Sequence, residues 1–257
     1  MRLTVVGCSG TVPGPASPGS CYLVEADDAA GRTWRVALDL GAGALGALQR
    51  WCDPRELDAV ALTHLHPDHC ADLAALHAYL SYHPDGTLAP VPVYGPFGTA
   101  ARILQLRDAT EPSPVLDVRP WQAGEDVAIG PLVLRAEVGE HTSPAYALRV
   151  EGPREDLAGD AVLGYSGDGD DCPGLERVAR GADAFLCEAT FLETHHAARG
   201  VHLTGRRAGA IAERVGVRRL ILTHIPPWTD PNVALAEAEA EYSGPIEGAH
   251  SGLELLL

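Results

Sequence analysis

A run of six residues, His64-Leu65-His66-Pro67-Asp68-His69, limits what this chain can fold into more than any other feature. It holds four potential metal ligands and follows directly on AVALT (59–63), which reads as a short buried strand. In an extended segment residues two apart point the same way, so His64 and His66 can grip one ion together. Pro67 suits the first turn of a helix. Asp68 and His69 then sit at the helix start, displaced toward a second ion. Histidines that merely fill a loop would show this spacing only by chance. The fold must therefore bring a strand end and a helix start to one point.

Three further residues repeat the theme of a ligand just past a strand. His141 lies in GEHTSP after a strand ending at Val138, Asp168 in SGDGD after VLGYS, and His224 in LTHIPP after LILT. Strand ends converge on one rim of a sheet sandwich, where such groups can meet. Taken singly each reads equally as a turn residue, Asp168 above all between its glycines. Taken with the run they make seven nitrogen and oxygen donors, a mixture suited to two divalent ions with one carboxylate bridging. Zn²⁺ is the first expectation and Mn²⁺ or Fe²⁺ the alternatives.

Short apolar strands are expected at 3–8, 21–26, 34–39, 59–63, 91–94, 127–129, 132–138, 145–151, 162–166, 184–188 and 220–223. Helices are expected at Gly41–Trp51, through Leu73, Leu76 and Leu80, at Thr99–Arg107 and at Thr204–Val215. The Glu-rich stretch Ala234–Tyr242 reads as a solvated helix face. Hairpins with interspersed helices in both halves predict an α/β fold of two sheets packed face to face with helices outside, one domain over residues 1–257. At 46% hydrophobic and 21% charged, 257 residues suffice for a sizeable core. No apolar run approaches the roughly 20 residues that span a bilayer, and MRLTVVGCSG lacks a signal-peptide layout, so a cytoplasmic chain with no membrane partner is expected. The six cysteines are scattered with no CxxC, which needs no disulfide framework.

Charge narrows the function. The formal net charge is −16, all 19 basic residues are arginine, and there is no lysine. A P-loop lysine, a Schiff base and a lysine general base are excluded together. Long-range repulsion makes nucleic acid an unfavoured partner.

Through THLHPDH, His141, SGD and LTH the sequence resembles the metallo-β-lactamase superfamily. It is most similar to the RNase Z-like branch, through CEATF (187–191) and HLTGRRAGAIAERVGVRRLILTHI (202–225), with Cys187 where that branch has a histidine. The resemblance implies a four-layer αβ/βα sandwich, the metallo-β-lactamase fold. It implies His64, His66, His141 and Asp168 around one metal, and Asp68, His69, Asp168 and His224 around the other. It also implies a homodimer and a pair, Glu188 and His202, near the leaving group. A histidine held by a carboxylate can protonate a departing alkoxide. The other reading of His202 is an exposed histidine flanking a helix. Asp68 would hold the attacking hydroxide as well as its metal.

Substrate expectations come from the same resemblance. tRNA-processing members carry a long Gly-rich and basic arm between the third metal histidine and the bridging aspartate. Here two strands and the acidic turn GPREDLAGDA fill that interval. No large inserted nuclease domain is visible, and relatives that cleave lactams or thioesters lack the EATF and HLTG combination. CYLVEA (21–26), LDLGAGALGALQ (38–49), SYHPDG (81–86) and HIPPWTDP (224–231) look like small bacterial cyclic-nucleotide phosphodiesterases. A small phosphodiester, cyclic AMP first, is the leading expectation. Arm-less RNA 3′-end processing stays open through Arg206, Arg207, Arg214, Arg218 and Arg219, which read first as a solvated helix face pairing with local Glu. A non-catalytic nucleotide-binding module is the third reading, and the intact ligand set speaks against it. Of the remaining histidines, His77 is expected to pack, His83 to sit in a turn, and His195 and His196 to form a surface or lid pair, with His250 bland. Cys70 and Cys172 are expected as buried packing residues.

Overall fold

The computed structural model describes residues 1–85, 89–155, 159–195 and 198–257. The first half of the chain runs β1 (Arg2–Gly7), β2 (Cys21–Asp27), β3 (Thr33–Leu38), α1 (Ala44–Leu48) and β4 (Ala59–Ala61). It continues through α2 (Pro67–Cys70), α3 (Leu73–Tyr82), β5 (Val91–Gly95), α4 (Thr99–Arg107) and β6 (Leu116–Pro120). The second half runs β7 (Asp126–Ile129), β8 (Leu132–Val138), β9 (Tyr146–Pro153), β10 (Asp160–Tyr165), α5 (Pro173–Ala179) and β11 (Ala184–Glu188). It ends with α6 (Gly205–Val215), β12 (Leu220–Thr223), α7 (Pro231–Glu239), β13 (Ile246–Gly248) and β14 (Glu254–Leu256).

Two seven-stranded mixed sheets result, ordered β14-β1-β2-β3-β4-β5-β6 and β13-β12-β11-β10-β9-β8-β7. In each, antiparallel strands give way to three parallel pairings. The central strands are apolar on both faces because both faces are covered. In β2, Tyr22 and Val24 point between the sheets, toward Leu148, Val150 and Tyr165. Cys21 and Leu23 point outward, under α1 and α3 with Leu45, Leu48, Leu73 and Leu76. A third core lies between the second sheet and α5, α6 and α7. Three cores separate four layers, the αβ/βα sandwich of the metallo-β-lactamase type. Each fully buried Leu or Val stabilises it by about 1.5–3 kcal/mol.

The parallel strands β3, β4, β10, β11 and β12 all end on one rim, as does β8, and the candidate ligands emerge there. Backbone bonds clamp the donor segment to that rim: Ser20 N donates to Asp68 O at 2.9 Å and Leu40 N to His69 O at 2.8 Å. Gly41 is required by close approach, since a Cβ there would lie 1.9 Å from Asp68 O.

Several expectations need correction. The helix expected over Gly41–Trp51 spans only Ala44–Leu48, because Gly43, at φ 81°, starts it in the left-handed region and Gln49 caps it. Cys172 is not a buried packing residue: it is partly exposed, and its sulfur accepts from Leu175 N at the start of α5. Four of the arginines on and after α6 are solvent-exposed and paired with acids, as expected, but the acids are not local to the helix. Arg206 pairs with Glu241, Arg214 with Asp171 and Glu176, Arg218 with Asp183 and Arg219 with Glu247. Arg207 is buried, 3.5 Å from Asp170. Their acids come from other elements, so no helix-local periodicity could reveal them. Among the described residues no helix is long and apolar enough to cross a membrane.

A candidate dinuclear metal centre

The loop after β4 supplies His64, His66, Asp68 and His69, with Pro67 at the first position of α2 as its fixed φ favours. The loops after β8, β10 and β12 supply His141, Asp168 and His224. Two donor groups form: His64, His66, His141 and Asp168, and Asp68, His69, Asp168 and His224. Within each, the ligand atoms lie within 4.8 Å of one another. All seven sequence-predicted donors thus come together, with Asp168 common to both groups.

The hydrogen bonds fix which ring nitrogens are bare. His69 Nδ1 faces Asp39 Oδ2 at 2.8 Å and His141 Nδ1 faces Val201 O at 2.8 Å, so each carries its proton there. Thr63 Oγ1 donates to Asp39 and Thr190 Oγ1 to Glu188, so they accept from His64 Nδ1 and His224 Nδ1. The four Nε2 atoms are then lone pairs turned inward. His64 Nε2 lies 3.1 Å from His66 Nδ1, and His69 Nε2 3.1 Å from His224 Nε2. Thr11 N donates to His224 Nε2 at 3.3 Å, which again needs a bare nitrogen. Facing lone pairs repel unless a cation lies between them. Buried Asp168 Oδ1 makes no hydrogen bond, although His69 Nε2 is 3.1 Å away. This donor set fits divalent ions.

The electrostatics of the centre agree with that fit. Burial pushes the His64 pKa well below its ordinary value, which keeps the ring neutral, as a metal ligand must be. Burial opposes a charge on His69, but Asp168 and Asp39 outweigh it and push the pKa well above its ordinary value, so the buried carboxylates demand a positive charge at this point.

Asp39 is the residue that sequence reasoning missed. It is fully buried and accepts from Thr63 N at 2.7 Å, Tyr165 Oη at 2.7 Å and His69 Nδ1. It adopts φ 58°, a left-handed conformation that few residues other than glycine take and that the surrounding bonds hold in place. The available signal was a charge between two leucines in LDLG at the end of an apolar strand, since a buried charge demands partners. An Asp39→Asn protein is expected to lose about 10- to 100-fold in metal affinity, because His69 loses the carboxylate that orients it. Metal titration at fixed pH measures this; unchanged affinity would remove Asp39 from the site. Asp170 was missed too: it accepts from Gly200 N at 2.8 Å and anchors the segment carrying Val201 and His202.

Glu188, at the end of β11, is fully buried. Its Oε1 lies 2.9 Å from His202 Nδ1 and also accepts from Gly169 N. Burial opposes the charge on His202, but Glu188 outweighs it and raises the pKa. His202 is half-buried rather than an exposed helix flank, and it joins Glu188 and His224 in a third cluster. His202 Nε2 has no partner among the described residues.

The other histidines lie elsewhere or at the margin. His77 bonds Ser113 and His83 sits beside Arg55, both away from the centre. His250 is exposed. His195 lines a cavity next to His202. His196 lies outside the described residues, as do Gly86 of SYHPDG and residues 156–158 of the turn before β10.

Among known protein families, the model described as a beta-lactamase superfamily domain matches residues 35–225. An uncharacterized protein of Mycobacterium leprae is 42% identical over 98% of this chain and 87% of its own length. A ribonuclease Z of Mycobacterium bovis (strain BCG) is 30% identical over 96% of this chain and 95% of its own. The crystal structure of the metallo-beta-lactamase fold protein YhfI from Bacillus subtilis superposes with a TM-score of 0.84 at 26% identity, covering 99% of this chain and 98% of that one.

Proposed function

The chain belongs to the metallo-β-lactamase superfamily, and from that premise we propose that it is a phosphodiesterase working at a two-metal centre, with His202 as proton donor to the leaving oxygen. At the coarser level it is a metal-binding hydrolase of this fold. The finer reading is carried by one observation: Glu188 holds His202 Nδ1 at 2.9 Å beside the metal donors and leaves Nε2 open. A departing alkoxide needs a proton, whereas the thiolate expelled in thioester hydrolysis leaves readily as an anion.

His64, His66, His141 and Asp168 would hold one ion, and Asp68, His69, Asp168 and His224 the other. Two divalent ions, Zn²⁺ first and Mn²⁺ or Fe²⁺ as alternatives, would supply when bound the neutralisation of phosphoryl charge and a water acid enough to give hydroxide near neutral pH. Asp68 stands among the donors of the second group, where its carboxylate would also accept a hydrogen bond from the attacking water. The new P–O bond forms as the bond to the leaving oxygen breaks. The proton on His202 Nε2 passes to that oxygen, while Glu188 keeps Nδ1–H and the ring fixed.

For the substrate we propose a small phosphodiester, 3′,5′-cyclic AMP first. The net charge of −16 and the pairing of His141's neighbour strand β9 directly with β10 support it. RNA 3′-end processing without an arm is the second reading. The relatives favour it over the first, since the M. bovis protein is named a ribonuclease Z and none of those described is named for cyclic nucleotides. One panel separates the two. Protein loaded with Zn²⁺, Mn²⁺ or Fe²⁺ is assayed on cyclic AMP, bis-p-nitrophenyl phosphate and a 3′-extended tRNA precursor, with and without chelator. Chelator-sensitive turnover of cyclic AMP is expected. Cleavage of the precursor alone would give the site to the second reading, and no turnover of any phosphodiester would end the proposal.

A further inference from the structure

A cavity of about 900 Å³ opens beside His202. Phe191, Trp228 and Val233 give it apolar walls, and His195 and Asp230 a polar edge. The Phe191 ring meets His202 edge-on, with centroids 5.0 Å apart, so the cavity begins at the proton donor. Trp228 is 70% exposed, a large aromatic face left open to solvent. No arginine lines the cavity among the described residues, and the chain has no lysine. A strand of further phosphates running on past His202 into this cavity would meet no arginine or lysine among the described residues, and would meet the Asp230 carboxylate. The group that the leaving oxygen carries into this space is therefore uncharged. The volume is in the range of about 300–1,000 Å³ that buries a small ligand.

We propose that this cavity is the subsite for a nucleobase, the one carried by the sugar whose oxygen departs, and that Trp228 is its stacking platform. The assignment rests on the reading of His202 as donor to the leaving oxygen, because that places the leaving group on this side. A base offers a planar face to Trp228 and hydrogen-bonding edges to His195 and Asp230. An alkyl chain would use neither. Loss of one stacking face costs about 5- to 150-fold in affinity, with little preference among bases.

Two readouts test it on metal-loaded protein. The first is the ratio of kcat/KM for cyclic AMP to that for the same cyclic ribose phosphate with hydrogen in place of the base. In Trp228→Ala this ratio is expected to fall about tenfold or more, chiefly through KM, with part of it restored in Trp228→Phe. The second is tryptophan fluorescence. Adenosine 5′-monophosphate should quench it and ribose 5-phosphate should not, and the quenching should vanish in Trp228→Phe although Trp34, Trp51 and Trp121 remain. An unchanged ratio in Trp228→Ala, quenching that survives in Trp228→Phe, or tighter binding of a long-chain alkyl phosphodiester than of the nucleotide would overturn it. Quenching in a protein that turns over no phosphodiester would support the base subsite and remove the phosphodiesterase reading.

Discussion

An Asp168→Ala protein is expected to hold neither ion stoichiometrically and to lose roughly a thousandfold or more of its kcat/KM. Asp168 alone among the donors belongs to both four-residue groups, so its loss weakens two sites at once. Substitutions one layer out already cost about 10- to 100-fold, and a shared ligand must cost more. The carboxylate also lies close to inward nitrogens of two rings, 3.1 Å from His69 Nε2 and 3.4 Å from His224 Nε2. Asp168→Asn keeps the shape but not the charge, and should fall between the wild type and the alanine variant. Elemental analysis after metal loading, read beside turnover of bis-p-nitrophenyl phosphate, measures both effects. Full occupancy and a normal rate in the alanine variant would exclude a shared ligand.

The second large effect concerns His202. In His202→Ala, turnover of a substrate that expels a sugar alkoxide should drop about 10²- to 10⁴-fold, the usual contribution of a positioned acid. Turnover of bis-p-nitrophenyl phosphate should fall far less, because nitrophenolate departs as an anion without help. Metal content should match the wild type. The contrast between leaving groups separates a proton donor from a residue that merely supports the site. Equal losses on both substrates, or a parallel loss of metal, would reject the donor role and make His202 a ligand or a packing residue.

The legible parts of this molecule were those whose neighbours in sequence are also their neighbours in function. THLHPDH carried four donors in register, and each remaining donor stood one step past an apolar strand. The bounds of α4 and of β8, β11 and β12 follow from the same local patterning. The features that escaped depend on distant partners. β6 (LDVRP) is an edge strand with a charged, half-exposed face, and pairing with β5 defines it. β13 and β14 are three residues each, too short to show a period. Helix α5 is a single PGLERVA segment started by a cysteine. Asp39 sat inside a quoted motif, but its role exists only once Thr63, Tyr165 and His69 surround it. Arg207 looked like a solvent-facing helix residue until Asp170, from another loop, claimed it.

The two donor sets also straddle the sandwich. His64 to His69 belong to the first sheet, whereas His141, Asp168 and His224 belong to the second. Cations seated between them would act as a clasp across the open edge of the two halves. Ligand at a thousand times its dissociation constant adds about 4.1 kcal/mol to the folded state, and here that increment falls on the seam itself. Removal of the metal is therefore expected to loosen this edge before the rest of the sandwich, so that stability and activity would fall together.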